Sequence, residues 1–136
     1  MSTRSNIAIR YKNGTVKAIY CHYDGYLSGV GQTLLNDWKN PRKVATLVSA
    51  VGNISSLKED LKETRENACG EDAVEFKDLA TYLDNVDTLF IEYIYVFDEF
   101  YGAWFYVATY DSFKTRKALS SYRLKLLTWQ EIEEGD

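Results

Sequence analysis

The sequence predicts an α+β domain in which helices cover one face of an antiparallel sheet of about four to five strands. Two segments with alternating apolar and polar residues predict hairpins, and the stretch between them has the apolar spacing of helices. The predicted order along the chain is two strands, two helices, an acidic connector, two strands and a basic tail. A length of 136 residues with 46% hydrophobic residues suits a single domain over 1–136.

The first predicted element is a β-hairpin. Apolar and polar residues alternate over 7–12 and again over 16–21, and Asn13-Gly14 lies between the two runs. Asn-Gly favours a type I′ turn because both residues tolerate a positive φ angle. We therefore expect two antiparallel strands joined by a type I′ turn.

A glycine-rich loop and two helices are predicted next. Three glycines within 24–31 indicate unusual backbone angles or a close approach of two backbone segments. Apolar residues then recur at helical spacing over 30–38 and over 44–51. Pro41 suits the first turn of the second helix, and Gly52 suits its end.

The segment from Lys58 to Asp78 is acidic, with eight Asp or Glu residues against four Lys or Arg residues. A solvated surface is the usual place of such a run. An acidic surface also matches a basic groove on a partner, where charge complementarity speeds association and fixes the register. We expect a turn at 67–70 and a short helix after Phe76.

A second hairpin is predicted from the alternating run Leu89–Asp98 and its return over Trp104–Tyr110, with Gly102 in the turn. Both strands carry bulky residues on both faces, which predicts a central place in the sheet. A basic tail follows over 111–130, and the acidic end over 131–136 is expected to fray.

Composition excludes several classes of function. The formal net charge of −4 disfavours direct binding of nucleic acids. One histidine and two cysteines without a Cys-x-x-Cys spacing do not make a zinc site of the usual kind, and we expect no metal and no cofactor. No apolar run approaches the roughly 18 residues of a membrane helix, and the start has no signal-peptide core. We therefore expect a cytoplasmic protein with free thiols and no membrane contact.

His22 with Asp24 and Cys21 is the one cluster that suggests catalysis. Neighbouring residues of a strand point to opposite faces, so Cys21 and His22 are not expected to meet. A carboxylate at Asp24 orients His22 in a catalytic reading, whereas in a structural reading Asp24 caps the turn at Gly25 and His22 donates to a backbone carbonyl. The second reading is favoured, and we expect no enzyme activity.

The same loop offers a second chemistry, the binding of an anion. The segment from Gly29 to Gly31 opens a helix, and the first N–H groups of a helix attract anions. Arginine binds phosphate through forked hydrogen bonds, which makes Arg4 and Arg116 candidates. A tight strand-to-helix connection and a solvated basic tail are the alternatives. The candidate ligand residues are Arg4, His22, Asp24, Gly25, Tyr26, Gly29, Gly31 and Arg116.

Aromatic residues make up 15% of the chain, which is more than a core of this size needs. We expect about half of them in the core and others at the surface, where Tyr and Trp favour interfaces. Together with the acidic connector they predict a surface that binds a partner protein. The candidate contact residues are Glu59, Glu63, Glu66, Tyr101 and Trp104.

Several segments carry a resemblance to a known family. The chain opens with Thr-Arg-Ser-Asn-Ile-Ala over 3–8, continues with Tyr-Cys-His-Tyr-Asp-Gly-Tyr over 20–26, and has Gly-Val-Gly over 29–31. It resembles a family of small phage and prophage proteins with a Thr-Arg-Ser start and a Tyr-Cys-His-aromatic-Asp-Gly-Tyr box. The likeness covers the first 57 residues and, more loosely, the second hairpin. Tyr23 and Leu27 depart from the family pattern of Trp and Pro.

The resemblance implies a phage origin and an action against host defences. Some small phage proteins block an effector by binding it, as anti-CRISPR proteins do, and others sequester a nucleotide signal, as Thoeris anti-defence sponges do. We therefore expect a non-enzymatic protein that binds and inhibits a host defence protein in the host cytoplasm, with a nucleotide sponge as the alternative. A homodimer or higher homo-oligomer is also expected, because strand edges and aromatic residues favour self-association.

Overall fold

The computed structural model describes residues 2–135, and for Asp111 it describes the backbone only. These residues form an α+β domain around one mixed sheet of six strands, in the order β3-β2-β1-β4-β5-β6. The predicted class is confirmed, but the sheet has six strands rather than four to five. The strands are β1 Ser5–Arg10, β2 Val16–Cys21, β3 Val74–Phe76, β4 Tyr93–Asp98, β5 Ala103–Ala108 and β6 Lys125–Leu126.

Two antiparallel hairpins lie side by side in the middle of the sheet. Strands β1 and β2 form the first and β4 and β5 the second, and β1 pairs with β4 in parallel, from Ser5 opposite Tyr93 to Arg10 opposite Asp98. We expected a purely antiparallel sheet, and this parallel pair makes the sheet mixed instead. Most residues of β1 and β4 are buried, with buried residues on both faces of each strand, which is typical of parallel strands.

This pairing gives the sheet two distinct ends. At one end lie Ser5, Cys21, Tyr93 and Ala108, close to the Tyr-Cys-His box, and we call it the box end. At the other end the turns of both hairpins follow Arg10 and Asp98, and we call it the turn end. Six residues of strand separate the two ends by about 17 Å.

Helices cover both faces of the sheet rather than one, which corrects the prediction. A large cluster joins Ile7, Ile9 and Phe97 to the first two helices and the last one, and a smaller cluster joins Ala8 and Val96 to the fourth helix. Both faces of β4 carry apolar residues, and each face needs a cover. The helices are α1 Gln32–Asp37, α2 Pro41–Thr46, α3 Leu61–Arg65, α4 Leu79–Asp84, α5 Tyr110–Thr115 and α6 Trp129–Gly135.

Three short irregular turns accompany these helices, and two of them adjoin a helix directly. A π-helical turn over Leu27–Gly31 leads into α1, a second over Leu47–Val51 follows α2, and a 3₁₀ turn covers Leu119–Ser121. As predicted, Pro41 stands in the first turn of α2, and Gly52 ends the second π-helical turn with a φ angle of 78°. Within residues 2–135, no helix combines the length and the apolar character that crossing a membrane requires.

The first hairpin is present, but its turn is not of type I′. Gly14 has a φ angle of 92°, whereas Asn13 is not among the residues with positive φ. The N–H of Gly14 donates to the Tyr11 carbonyl at 2.9 Å, and the N–H of Tyr11 donates to the Thr15 carbonyl at 2.8 Å. This is a type I turn followed by a left-handed glycine, the usual three-residue hairpin loop. The Asn13 carboxamide favours it by accepting from the Thr15 N–H at 3.0 Å.

The C-terminal segment contains a helix that the sequence pattern did not predict. The acidic end, for which we expect fraying, forms α6, with Ile132 buried against the large cluster. The Tyr106 hydroxyl donates to the Glu131 carboxylate at 2.8 Å and ties this helix to β5. Asp136 lies outside the described residues.

Candidate functional site

Residues of the predicted ligand site do meet at the box end, around Tyr20. The Tyr20 hydroxyl and the His22 Nδ1 atom are 2.6 Å apart, and the His22 Nε2 atom is 3.3 Å from the Ser2 hydroxyl. Both nitrogens of the ring are therefore engaged by side chains, instead of the backbone carbonyl that we expected. Partial burial raises the pKa of the Tyr20 hydroxyl, and the nearby Arg4 guanidinium opposes that rise.

Arg4 joins this cluster through an aromatic ring that the sequence did not single out. Its guanidinium carbon lies 4.3 Å from the centroid of the Phe90 ring, and Phe90 stacks on Tyr20 with the centroids 5.7 Å apart. The Arg4 Nε atom is buried without an acceptor among the described residues. The arginine thus packs as a flat cation on Phe90, a contact of about 0.5–2 kcal/mol in general.

Cys21 does not take part in this cluster. Its side chain is buried in the core, and the thiol donates to the Tyr23 carbonyl at 3.6 Å, on the face of β2 opposite to His22. Burial raises the pKa of the Cys21 thiol to about 12, so the thiol stays protonated at neutral pH. The second cysteine, Cys69, is exposed, and both thiols are free.

The glycine loop is a tight backbone contact rather than an open cradle. A Cβ atom at Gly29 would overlap the Asp24 carbonyl oxygen, and one at Gly25 would lie 2.7 Å from the Ser5 Cβ atom. The N–H groups of Gly29, Val30 and Gly31 already donate to the carbonyls of Tyr26 and Asp24. These donors are not open to an anion, so the structure favours the alternative of a tight connection.

Asp24 and Tyr26 stabilise the loop by contacts within it. Asp24 has a φ angle of 59°, and its carboxylate accepts from the Tyr26 hydroxyl at 3.1 Å. The carboxylate thus bonds to Tyr26, and the cluster around His22 is completed by Ser2 and Tyr20 instead. Arg116, the last of the ligand candidates, ends α5 in a left-handed conformation and lines a different groove with Asp84 and Lys117.

The predicted contact residues divide into three places. Glu59, Glu63 and Glu66 are exposed on or beside α3. Ala68 follows α3 and bridges to Ile54, which bridges to the box end of β2. Tyr101 is 67% exposed in the turn at the opposite end, whereas Trp104 is 3% exposed and donates its indole N–H to the Trp38 carbonyl at 2.8 Å. Trp104 is therefore a core residue and offers no surface to a partner.

An apolar hollow of about 310 Å³ opens at the box end, and none of its large exposed apolar side chains was among the predicted contact residues. Leu89, Tyr110 and Phe113 stand around it with exposed fractions of 78%, 64% and 50%. Its floor is formed by the first residues of β4 and the last residues of β5. We call this feature the box-end hollow.

A larger groove of about 600 Å³ lies on the second face of the sheet at the turn end. It runs between α4 and the segment 120–124, and Arg10, Asp98, Tyr101 and Arg123 are among its lining residues. From the sequence, Arg10 lies on the polar face of the first strand and Arg123 in the basic tail, where either a solvated surface or a phosphate contact was expected. We call this feature the arginine groove.

The sequence contains a turn signal just before Leu89, but Leu89 and Phe90 were predicted to belong to a strand. The alternation from Leu89 predicts a strand, yet β4 begins at Tyr93, and Leu89 and Phe90 lie in a turn. Asp87-Thr88 before two adjacent apolar residues is a turn signal, because an Asp side chain bonds to the backbone two residues on. The observed bond from the Leu89 N–H to the Asp87 Oδ1 atom, at 3.0 Å, is of this kind.

Comparison of the chain with protein-family models, with curated proteins and with solved structures gave no match. The geometry of the box end and of the turn end therefore carries the functional argument.

Proposed function

We propose that this chain is a non-enzymatic binding protein that captures a partner protein through the box-end hollow. The observation that carries the proposal is the exposure of Leu89, Tyr110 and Phe113 around one apolar depression. Large exposed apolar side chains that gather at one place mark interaction sites on soluble domains. Aromatic residues next to a pocket are also the usual anchors of protein interfaces.

The backbone under the hollow is held firmly, which lowers the entropy lost on binding. Two N–H groups, of Phe90 and Ile91, donate to the Asp87 carbonyl at 3.0 and 2.8 Å. From the other side, the Thr109 hydroxyl donates to the Ile91 carbonyl at 2.6 Å, and the Thr109 N–H donates to the Glu92 carbonyl at 2.9 Å. Leu89 is thus presented to solvent by a loop that is already in place, and preorganisation of this kind favours affinity.

The box end offers more apolar surface on its other strands. Phe90 is 44% exposed and lies with Tyr20 and Arg4 beside the hollow, and Tyr23 is exposed at the end of β2. From β2 to β5 there are three strand spacings, about 14 Å in all. A partner that inserts an apolar side chain into the hollow would contact this row as well.

The resemblance to phage proteins supports the choice of partner. Its Tyr-Cys-His box supplies Tyr20, His22 and Tyr23, which lie at this same end of the sheet. We therefore propose a host defence protein as the partner and inhibition by occupation of its surface as the mode of action. The exposed carboxylates on and beside α3 would add charge complementarity at the margin of the contact.

A matched pair of double variants tests the proposal. Leu89→Ser with Phe113→Ser removes two anchors of the hollow, and Phe100→Ser with Leu126→Ser removes the same residue types from exposed positions elsewhere. The partner captured from host lysate is identified by mass spectrometry, and its Kd is measured with each purified variant. We expect the first pair to weaken binding by about thirtyfold or more and the second to leave it unchanged.

An infection assay with the same variants separates this proposal from the sponge. Circular dichroism first establishes that each variant is folded. The assay measures how far each variant protects the phage from the host defence. If Arg4→Ala with Arg116→Ala abolishes this protection and Leu89→Ser with Phe113→Ser retains it, the protein is a nucleotide sponge and the protein-binding proposal is wrong. If both serine double variants lose the same amount of protection, the effect is not specific to the box-end hollow and the proposal is also contradicted.

A further inference from the structure

We propose that the arginine groove binds a small molecule in which a planar aromatic ring is joined to an anionic group, as in a nucleotide. The site uses residues at the turn end and on the second face of the sheet, so it is independent of the box-end hollow. The sequence placed nucleotide binding at the glycine loop, Arg4 and the basic tail, and the groove shares only the basic tail with that prediction, through Arg123.

The size and lining of the groove fit a ligand of this kind. A volume of about 600 Å³ lies in the middle of the range of small-molecule pockets. Apolar side chains from α4, among them Leu79 and Leu83, form one wall. Three aromatic residues and two arginines contribute the rest of the specific chemistry: Tyr101, Phe105, Tyr122, Arg10 and Arg123.

Arg10 is held ready for an anion by a buried carboxylate. The Arg10 Nη1 atom donates to the Asp98 Oδ2 atom at 3.3 Å, and the Phe100 N–H donates to the Oδ1 atom at 2.9 Å. Asp98 is 7% exposed, so its carboxylate is fixed from both sides under the groove. A guanidinium has five N–H donors, and no second acceptor for Arg10 exists within residues 2–135.

The charge of the groove favours an anion. Asp98 is compensated by Arg10, and Arg123, which also lines the groove, is exposed and forms no ion pair among the described residues. The lining thus has one positive charge in excess, although the whole chain has a formal net charge of −4. A phosphate would accept from both guanidinium groups through charge-assisted hydrogen bonds.

The aromatic residues supply a place for a ring. Tyr101 is 67% exposed, and its ring meets the Phe105 ring edge-on with the centroids 5.9 Å apart. The Phe100 ring also meets Tyr101 edge-on, with the centroids 5.1 Å apart, so both rings support Tyr101, whose exposed ring surface can stack on a ligand. Stacking of a base on an aromatic side chain tolerates all four bases. The groove is therefore expected to recognise a planar ring joined to an anionic group and to accept any of the four bases.

Binding of AMP, GMP, CMP and UMP to the full chain is measured by calorimetry and by NMR shifts. Adenosine and inorganic phosphate are titrated alongside, because each carries half of the proposed chemistry. We expect at least one monophosphate to bind at millimolar concentration or below and to bind about tenfold more tightly than either half. If none of the four binds, or if adenosine binds as tightly as AMP, the proposal is overturned.

Single variants then place the ligand. Arg123→Ala removes one phosphate contact without leaving a buried charge, and we expect a loss of about tenfold or more in affinity. Tyr101→Ala should weaken binding similarly, whereas Tyr110→Ala removes a similarly exposed tyrosine at the box end, which does not line the groove, and should leave binding unchanged. Arg42→Ala removes an exposed arginine of α2 and is the charge control. Equal affinity of Arg123→Ala and Arg42→Ala would overturn the assignment of the site.

Discussion

The two ends of the sheet both expose aromatic residues, but their chemistry is different. At the box end, Leu89, Tyr110 and Phe113 surround an apolar hollow. The cations beside it pack on aromatic rings, Lys114 at 5.9 Å from the Tyr110 centroid and Arg4 on Phe90. At the turn end, Tyr101 stands beside two arginines and a buried carboxylate. An exposed aromatic residue is thus not informative alone, and the charges beside it decide which kind of partner it suits.

The two ends are also built differently. The glycines of the box-end loop are required by close contact, because a Cβ atom at Gly25 or Gly29 would meet another backbone segment. The glycines of the two hairpin turns, Gly14 and Gly102, face open space and are required only for their positive φ angles. We therefore expect substitutions to be tolerated far better at the turn end than at the box end.

Gly29→Ala is expected to have the largest effect. The new Cβ would overlap the Asp24 carbonyl, which also accepts from the Val30 N–H, so the backbone has to move. We expect a loss of about 4 kcal/mol or more in the free energy of unfolding, the range of severe single substitutions. Gly14→Ala is the control and should cost about 1 kcal/mol, because only its φ angle of 92° is unfavourable. Urea unfolding measures both, and similar losses would refute the difference between the ends.

The two thiols give the second contrast, between the interior and the surface beside β2. At pH 8 the thiolate fraction of Cys21 is about a thousandfold below that of an ordinary thiol, because burial raises the pKa to about 12. We expect one thiol, that of the exposed Cys69, to react quickly with an alkylating reagent in the native protein, and two in denaturant. Fast reaction of both thiols in the native state would contradict the buried position of Cys21.

The same raised pKa has a consequence for stability at alkaline pH. The neutral thiol is favoured in the folded state, so this contribution is complete below about pH 9 and is lost as the pH rises through about 12. The free energy of unfolding should therefore fall over this interval. Cys21→Ala should reduce the slope, since it removes this titrating group, whereas Cys69→Ala should leave it unchanged.

Asp87→Ala tests whether the box-end hollow depends on its supporting loop. The carboxylate accepts from the Leu89 N–H, and its loss should loosen the turn that presents Leu89. We expect partner binding to weaken by about threefold to tenfold, with a smaller change in stability, because only one exposed hydrogen bond is removed. Asp84→Ala changes an exposed carboxylate on α4 and is the control. Identical affinities of the two variants would show that the loop needs no such support.

Local features of the fold were predictable, and distant pairings were not. Both hairpins and the start of α2 follow from short patterns such as Asn13-Gly14 and Asn40-Pro41, because neighbouring residues determine these structures. The parallel pairing of β1 with β4 joins residues 88 apart in the chain, and no local pattern encodes it. The two edge strands have three and two residues and are largely exposed, so they lack the alternation by which strands are recognised.

For the candidate sites, the sequence indicated residue types better than places. Arg4 and His22 do come together at the box end. Arg4 precedes β1, His22 follows β2, and the antiparallel pairing of these strands places both residues at the same end. Phe90 reaches the same cluster only through the β1–β4 pairing, which was not foreseen. Trp104 was assigned to the surface because a strand with bulky residues on both faces does not reveal which face is covered, and here both are.

The smallest expected effect concerns the acidic connector, the part of the predicted contact surface that lies beside the box end. Glu63→Lys with Glu66→Lys reverses two exposed charges on and next to α3 without removing a buried group. Charges at the margin of an interface act mainly on the association rate, so we expect that rate to fall about twofold to fivefold and more at low salt. Glu133→Lys with Glu134→Lys makes the same change of charge on α6 and is the matched control. Stopped-flow association with the purified partner at two salt concentrations measures the difference. A larger fall in the control pair would mean that the connector lies away from the contact and that the apolar row at the box end binds without its help.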